Sequence, residues 1–247
     1  MMVTPNAASR WTTSKLKVKR NDNSMVPFVV KRDSATPEVH IDNFFPIPVG
    51  SVQMDHKLTE KIKDFIGKNE ISFTKNVSGN GVSADFYILN HKELSEVKNV
   101  LTETVNEYFK KIINNGIDTK LHISNSWLTA SQNGESHHVH THPNSIISCV
   151  LYLNVDEEED SIHFMNPNSG DMFGNMRFSP YGTMWLKRAW KVKPTNNALI
   201  MFPSTLAHEV PTRTEKSKGE RMSMSFNTWI KNATIGSIID NADQLHL

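Results

Sequence analysis

Two periods divide this chain. In two segments between residues 58 and 116 apolar side chains recur at every third or fourth position, and from about residue 119 they alternate with polar ones. The first period predicts helices. In "LTEKIKDFIGKN", Leu58, Ile62, Phe65 and Ile66 form one stripe that Gly67 closes. In "NHKELSEVKNVLTETVNEYFKKIINNG", Leu94, Val97, Leu101, Val105, Tyr108, Phe109 and Ile112 make a longer one. Asn90 and Glu93 have the spacing of a capping box, and Asn115-Gly116 that of a left-handed stop. A stripe of this kind is a packing face for a sheet.

The second period predicts strands. Leu121, Ile123, Asn125, Trp127 and Thr129 alternate with a more polar set, as in a half-buried strand. "NGES" (Asn133 to Ser136) turns the chain. Then "HHVHTH", "SIISCVLYLNV", "SIHFMN", "NALIMFP", "AHEV" and "RMSMSFNTWI" follow as short strands between turn-forming residues, the signature of a sandwich or barrel. "DEEED" (Asp156 to Asp160) reads as a hairpin tip kept soluble by charge. "FFPIPVG" (Phe44 to Gly50), broken by prolines, reads as a lead-in strand at a sheet edge. Asn166 to Thr195 is a long Gly/Pro-punctuated connection holding Trp185 and Trp190, of the kind that serves as a lid or mobile loop. The plan is α+β and mainly β: helices at about 58–116, then a β core at about 119–231. Both fall in one domain from 41 to 247, after a polar extension over residues 1–40.

Composition narrows the partners. With 247 residues, 38% hydrophobic and 21% charged, the chain is ordinary for a globular protein. A formal net charge of +1 provides no global field toward nucleic acid or an anionic membrane. The basic run "KLKVKR" (Lys15 to Arg20) reads as a solvated arm rather than a phosphate grip. No stretch approaches the roughly 20 apolar residues of a membrane helix, and no apolar signal core is seen at the N-terminus. The one cysteine, Cys149, sits in an apolar run, which suits a small buried hydrophobe and a reducing, cytoplasmic compartment.

Candidate chemistry gathers at "HHVHTH", where His137, His138, His140 and His142 lie within six residues. On an extended chain His138, His140 and His142 share one face, with His137, Val139 and Thr141 on the other. Imidazoles two residues apart can converge on one iron, zinc, copper or nickel ion. Downstream, "ALIMFPSTLAHEV" carries His208 on a further strand, where it can complete a triangle. In "ERMSMSFNTWI", Arg221, Ser223, Ser225 and Asn227 share a face opposite Met222, Met224, Phe226 and Ile230. A guanidinium that points into a barrel must meet an anion, and a small dicarboxylate beside the Ser223 hydroxyl fits that need.

The ordered set "HTHPNSIISCVLYLN", "SIHFMNP", "ALIMFPSTLAH" and "ERMSMSFN" resembles the iron(II)- and 2-oxoglutarate-dependent oxygenases, within them a prolyl-hydroxylase-like bacterial and bacteriophage branch. The resemblance covers roughly residues 121 to 230. It implies a double-stranded β-helix (jelly roll) with the N-terminal helices packed on one sheet. It further implies iron held by His140, His142 and His208, with Arg221 and Ser223 on the far carboxylate of 2-oxoglutarate. Asn125, Trp127 and Tyr152 are candidate pocket residues, with a plain packing role as the competing reading. The implied reaction is a dioxygenase (hydroxylase) reaction that couples 2-oxoglutarate decarboxylation to hydroxylation of an unidentified substrate. A protein side chain such as proline, or a small molecule, would be that substrate, with dioxygen as co-reactant and ascorbate as reductant.

One position departs from the family pattern: where most such oxygenases place a carboxylate, this chain has His142. Two alternatives follow from it. His138 and His140 form the pair, or an outside carboxylate such as Glu135 joins the ligands. His137, His163 and His122 read as surface or supporting residues. A three-histidine, cupin-like metal enzyme without 2-oxoglutarate, or a metal-stabilised jelly-roll binding module, stands as the rival reading. A homo-oligomer is compatible with this sequence.

Overall fold

The computed structural model describes residues 46–113, 120–168 and 187–231. The extension at 1–40, the basic run Lys15–Arg20, the Asn115-Gly116 stop and Trp185 lie outside the described residues. Those from Ile47 onward fall in one compact unit.

Both helical stripes fold as helices. α1 (His56–Lys68) buries Leu58, Thr59, Ile62 and Phe65, and α2 (Ser95–Ile113) buries Val97, Leu101, Val105, Tyr108 and Phe109. Their ends differ from expectation. Asp55 caps α1 by accepting from the Lys57 N–H, and the helix runs through Gly67 to an Asn69 cap, whose side chain donates to the Phe65 carbonyl. Asn90 makes no capping box. Two 3-10 turns, Ile88–Asn90 and Lys92–Leu94, flank an extended His91, so α2 starts only at Ser95. The Asn90 side chain accepts from Lys98 instead.

The strands are β1 (Gly50–Gln53), β2 (Phe73–Lys75), β3 (Gly81–Ser83), β4 (Lys120–Ser131), β5 (His137–His140), β6 (Ile147–Asn154), β7 (Ile162–Met165), β8 (Ala189–Val192), β9 (Ala198–Pro203), β10 (His208–Val210) and β11 (Arg221–Lys231). They make a seven-stranded sheet, β1-β9-β6-β11-β4-β3-β2, and a four-stranded sheet, β5-β10-β7-β8. All pairings within the sheets are antiparallel. Together they form the mainly β jelly roll expected. The lead-in strand begins at Gly50, later than Phe44–Gly50 suggested, because Pro46 and Pro48 cannot donate to a ladder. It does lie at a sheet edge. The β2–β3 hairpin between the helices was not foreseen; its strands are three residues each, too short for a visible period. β8 lies inside the long connection predicted at Asn166–Thr195, so its described part pairs with β7 rather than running as free loop.

Period two along the large sheet sorts its side chains into two layers. Cys149, Leu151 and Leu153 of β6, Leu199 and Met201 of β9, and Met224 and Phe226 of β11 pack against α1 and α2 in one core. Cys149 is a buried hydrophobe whose thiol is pushed well up by burial, which keeps it protonated and inert. On the opposite face Tyr152, Ile200 and Phe202 join Ile162 and Phe164 of the small sheet in a second, smaller core. That inter-sheet layer is incompletely filled, and the space left is the site described next. Among the described residues no helix is long and apolar enough to cross a membrane.

Candidate functional site

His140 and His208 are opposed across the β5–β10 ladder. His142 follows β5 in a turn that Pro143 and Asn144 reverse, with Asn144 in the left-handed region at φ 56°. Polar contacts fix that turn. The His142 N–H donates to the Ser204 carbonyl at 3.0 Å, and the Ser204 N–H donates to the Ile146 carbonyl at 3.0 Å. The hydroxyls of Ser145, Ser148 and Ser204 form a short chain, which ends on Asn227 of β11. The turn that bears His142 is thereby tied to the Pro203–Ser204 turn that leads into His208.

The three rings converge. His140, His142 and His208 each offer a nitrogen, and these atoms all lie within 4.8 Å of one another. Nε2 of His142 is 3.2 Å from Nε2 of His208. Two nitrogens at about 2.1 Å from one ion and at right angles to each other stand about 3.0 Å apart, so this spacing suits a shared metal. Backbone carbonyls set the tautomers: Nδ1–H of His140 donates to His138 at 2.7 Å, and Nδ1–H of His208 donates to Leu206 at 3.0 Å. Each bond leaves Nε2 with its lone pair free to bind, the usual arrangement of a ligating histidine. Burial, followed by the charge of the His140 ring, pushes His208 down to about 3 and His142 down to about 4; burial also lowers His140. All three are neutral at physiological pH, which is the form that binds metal.

Across a small cavity from these rings lies the Arg221 wall. Cross-strand pairs on one face of β4 and β11 build it: Arg221 opposite Ser131, Ser223 opposite Thr129 and Ser225 opposite Trp127. Arg221 is 5% exposed, a costly place for a cation that meets no anion. Among the described residues it reaches no carboxylate, and its hydrogen bond to the Ser161 carbonyl is a long 3.5 Å. Its Cζ stands 5.4 Å from the Tyr152 ring. The Tyr152 hydroxyl is fully buried, with Arg221 as its charged neighbour. Burial raises the phenol while the Arg221 charge pulls it the other way, so it stays a donor. A buried guanidinium that meets no carboxylate, with Ser223 on the same face, can receive one; Tyr152 stands beside Arg221 but is not among the residues that line the cavity.

The other candidates fall elsewhere. Asn125 is half-buried opposite Asn227, beyond Trp127, and is not among the residues that line the cavity. His138 turns to Ser78, with Nδ1 at 3.1 Å from its hydroxyl, and is outside the convergent group. Glu135 pairs with Lys75 and accepts from the Gln132 N–H, so it too is outside. His163 is held between Ser161 and Glu209, at 3.1 and 3.2 Å. His122 sits far along β4, opposite Trp229.

His137 corrects the alternation argument. It lines the cavity and stacks on His140, with ring centroids 4.2 Å apart and 17° between planes. The cause is a β-bulge: His140 pairs with His208 but His137 pairs with Val210, three steps on β5 against two on β10. The extra residue brings positions 137 and 140 to one face. No local pattern reveals a bulge. By contrast Thr129 and Ser131, which also line the cavity, share Trp127's face by plain alternation, so that signal was present in the sequence.

Residues 125–227 match the family model described as "Putative 2OG-Fe(II) oxygenase". No curated protein matches in sequence. Among solved structures the fold is similar to that of an oxidoreductase of the 2OG-Fe(II) oxygenase family from Burkholderia pseudomallei. The TM-score is 0.52 and the identity 14%, over 72% of this chain and 85% of that one. It is also similar to a prolyl-4-hydroxylase from Pseudomonas putida, with a TM-score of 0.50 and 12% identity over 76% of this chain and 94% of that one.

Proposed function

We propose, from the match of residues 125–227 to the 2OG-Fe(II) oxygenase family, that His140, His142 and His208 hold iron while Arg221 and Ser223, with Tyr152 beside them, seat 2-oxoglutarate. The observation that carries the assignment is the shared cavity, with three convergent neutral imidazoles on one wall and a buried arginine without a carboxylate on the other. The donor set fits a divalent first-row metal, and the Arg221 wall fits a dicarboxylate.

The bound iron supplies the activation of dioxygen against 2-oxoglutarate that drives hydroxylation of the substrate. The chain's own groups bind and orient. Arg221 pairs with the distal carboxylate and the Ser223 hydroxyl donates to it, while Tyr152 packs against Arg221, which fixes the diacid's direction in the cavity. The Nδ1–H bonds of His140 and His208 to backbone carbonyls hold two rings at fixed angles before any metal arrives. Val150 and Ile162 line the cavity and keep part of its wall dry, which strengthens the polar contacts made there.

We propose a protein side chain such as proline as the substrate. Its support is an apolar approach: Trp127 lines the cavity, and the partly exposed Phe86 stands 6.1 Å from it. Dioxygen is the third reactant. Succinate release from 2-oxoglutarate with iron and ascorbate tests the ligand assignment, because His208→Ala should abolish it. Undiminished release in that variant removes His208 from the metal.

A further inference from the structure

The cavity is short of negative charge. Its walls are histidine, tryptophan, aliphatic and hydroxyl side chains plus Arg221, and among the described residues no aspartate or glutamate lines them. The acidic residues nearest in the chain are engaged elsewhere. Glu135, just before β5, pairs with Lys75. Glu209 directly follows His208, but its carboxylate is bonded to His163. Asp160 forms a buried ion pair with Arg213, at 2.8 Å. A divalent ion held by three neutral imidazoles keeps its whole charge, and Arg221 adds a second cation. The two carboxylates of 2-oxoglutarate fall one unit short of balancing them. A partly buried site does not tolerate an uncompensated charge cheaply.

We infer that the site binds a small monoanion together with iron and 2-oxoglutarate, supplying from outside the charge that His142 does not bring. The inference rests on the proposed assignment of His140, His142 and His208 as ligands. Hydroxyls suit the role as well. Those of Thr129, Ser131 and Ser225 line the same cavity, and a hydroxyl can turn its proton toward an anion. The anion is either a free ion or a carboxylate carried by the substrate; the two share the same recognition chemistry.

Titration of the full chain, loaded with iron(II) and 2-oxoglutarate under exclusion of oxygen and at constant ionic strength, tests this. Sodium azide, sodium chloride and N-acetylglycine serve as probes, followed by calorimetry and by the visible absorption of the loaded protein. Saturable binding is expected, together with its loss in metal-free protein. His142→Asp supplies the charge from within, so it should keep iron and 2-oxoglutarate while binding azide about tenfold more weakly or worse. If that variant loses the metal, Ser225→Asp places a carboxylate in the same wall without touching a ligand and should weaken azide likewise. Binding of azide and chloride alone identifies a free ion; binding of N-acetylglycine as well identifies a substrate carboxylate. Iron and 2-oxoglutarate uptake with indifference to all three probes overturns the inference alone, and so does equal azide affinity in both carboxylate variants. Failure to take up either iron or 2-oxoglutarate removes the functional assignment along with it.

Discussion

β11 shows two proteins' worth of chemistry on one strand. Its outward face, Met224 and Phe226, is fully buried against the helices in an aliphatic and aromatic core that also holds Cys149 and Tyr108. Its inward face, one residue out of step, presents Arg221, Ser223 and Ser225 to a cavity. The two faces share every backbone hydrogen bond to β4 and β6, so neither can shift without the other. The difference teaches a division of labour. The outward face supplies the stability that lets the inward face keep a buried cation and open volume, both of which work against folding.

The sharpest break in that comparison is Phe226→Ala. It removes a fully buried aromatic ring from the outer core, and a loss of about 3–5 kcal/mol in unfolding free energy is expected by urea denaturation. Any molecule that remains folded should still bind 2-oxoglutarate with wild-type affinity, since the cavity face is untouched. A small stability loss would mean that the outer core can collapse around the gap, and the two faces would then not be divided as described.

The mirror experiment is Arg221→Ala. The 2-oxoglutarate requirement should rise about a hundredfold, on the order of 3 kcal/mol, through loss of one partner of a buried charged contact. The apo protein should melt no lower than wild type, because a buried charge without an anion has been removed. An unchanged requirement, measured as the concentration dependence of succinate release, takes Arg221 out of the cosubstrate site.

How far the sequence disclosed these two faces depends on the range of the interactions that set them. The alternation of Met224 and Phe226 with Arg221, Ser223 and Ser225 is written in consecutive residues, as is the α2 stripe from Val97 to Phe109, and both are as read. His208 meeting His140 could be anticipated only from the ordered motifs, because the contact spans the β5–β10 pairing. What was missed depends on partners distant in sequence. The bulge that turns His137 inward exists only as a register between β5 and β10. The start of α2 is decided by an extended His91, whose ring stacks 4.9 Å from Phe65 and bonds Asp85 at 2.8 Å, contacts invisible to a capping pattern. Asn125 shares a face with Trp127, yet periodicity says nothing about where along a strand a cavity ends.

His137 itself gives the next prediction. Stacked on His140 without joining the convergent group, it braces a ligand ring. His137→Ala should lower iron affinity about tenfold by freeing that ring, within the range typical of groups that orient a ligand. His137→Phe, which restores a flat ring, should recover most of it. Equal loss in both variants would show that the imidazole nitrogens matter and the stacking does not.

The smallest effect separates the site from its rim. Glu135, once a candidate ligand, is tied to Lys75 and to the Gln132 N–H at the turn before β5. Burial works to raise its carboxyl, but the hydrogen bond and charge of Lys75, with the backbone bond, outweigh it and hold the group below the usual range. A depressed folded value means that the pair stabilises the fold at neutral pH and stops doing so as pH falls through that value. Glu135→Gln cannot titrate. It should therefore cost less than about 1 kcal/mol at pH 7, since Lys75 is largely solvent-exposed. The gap between variant and wild type should close below about pH 4 in urea melts. Iron binding should be unchanged throughout; a drop in iron affinity in Glu135→Gln would bring this carboxylate back into the metal's surroundings and remove the charge deficit on which the monoanion site depends.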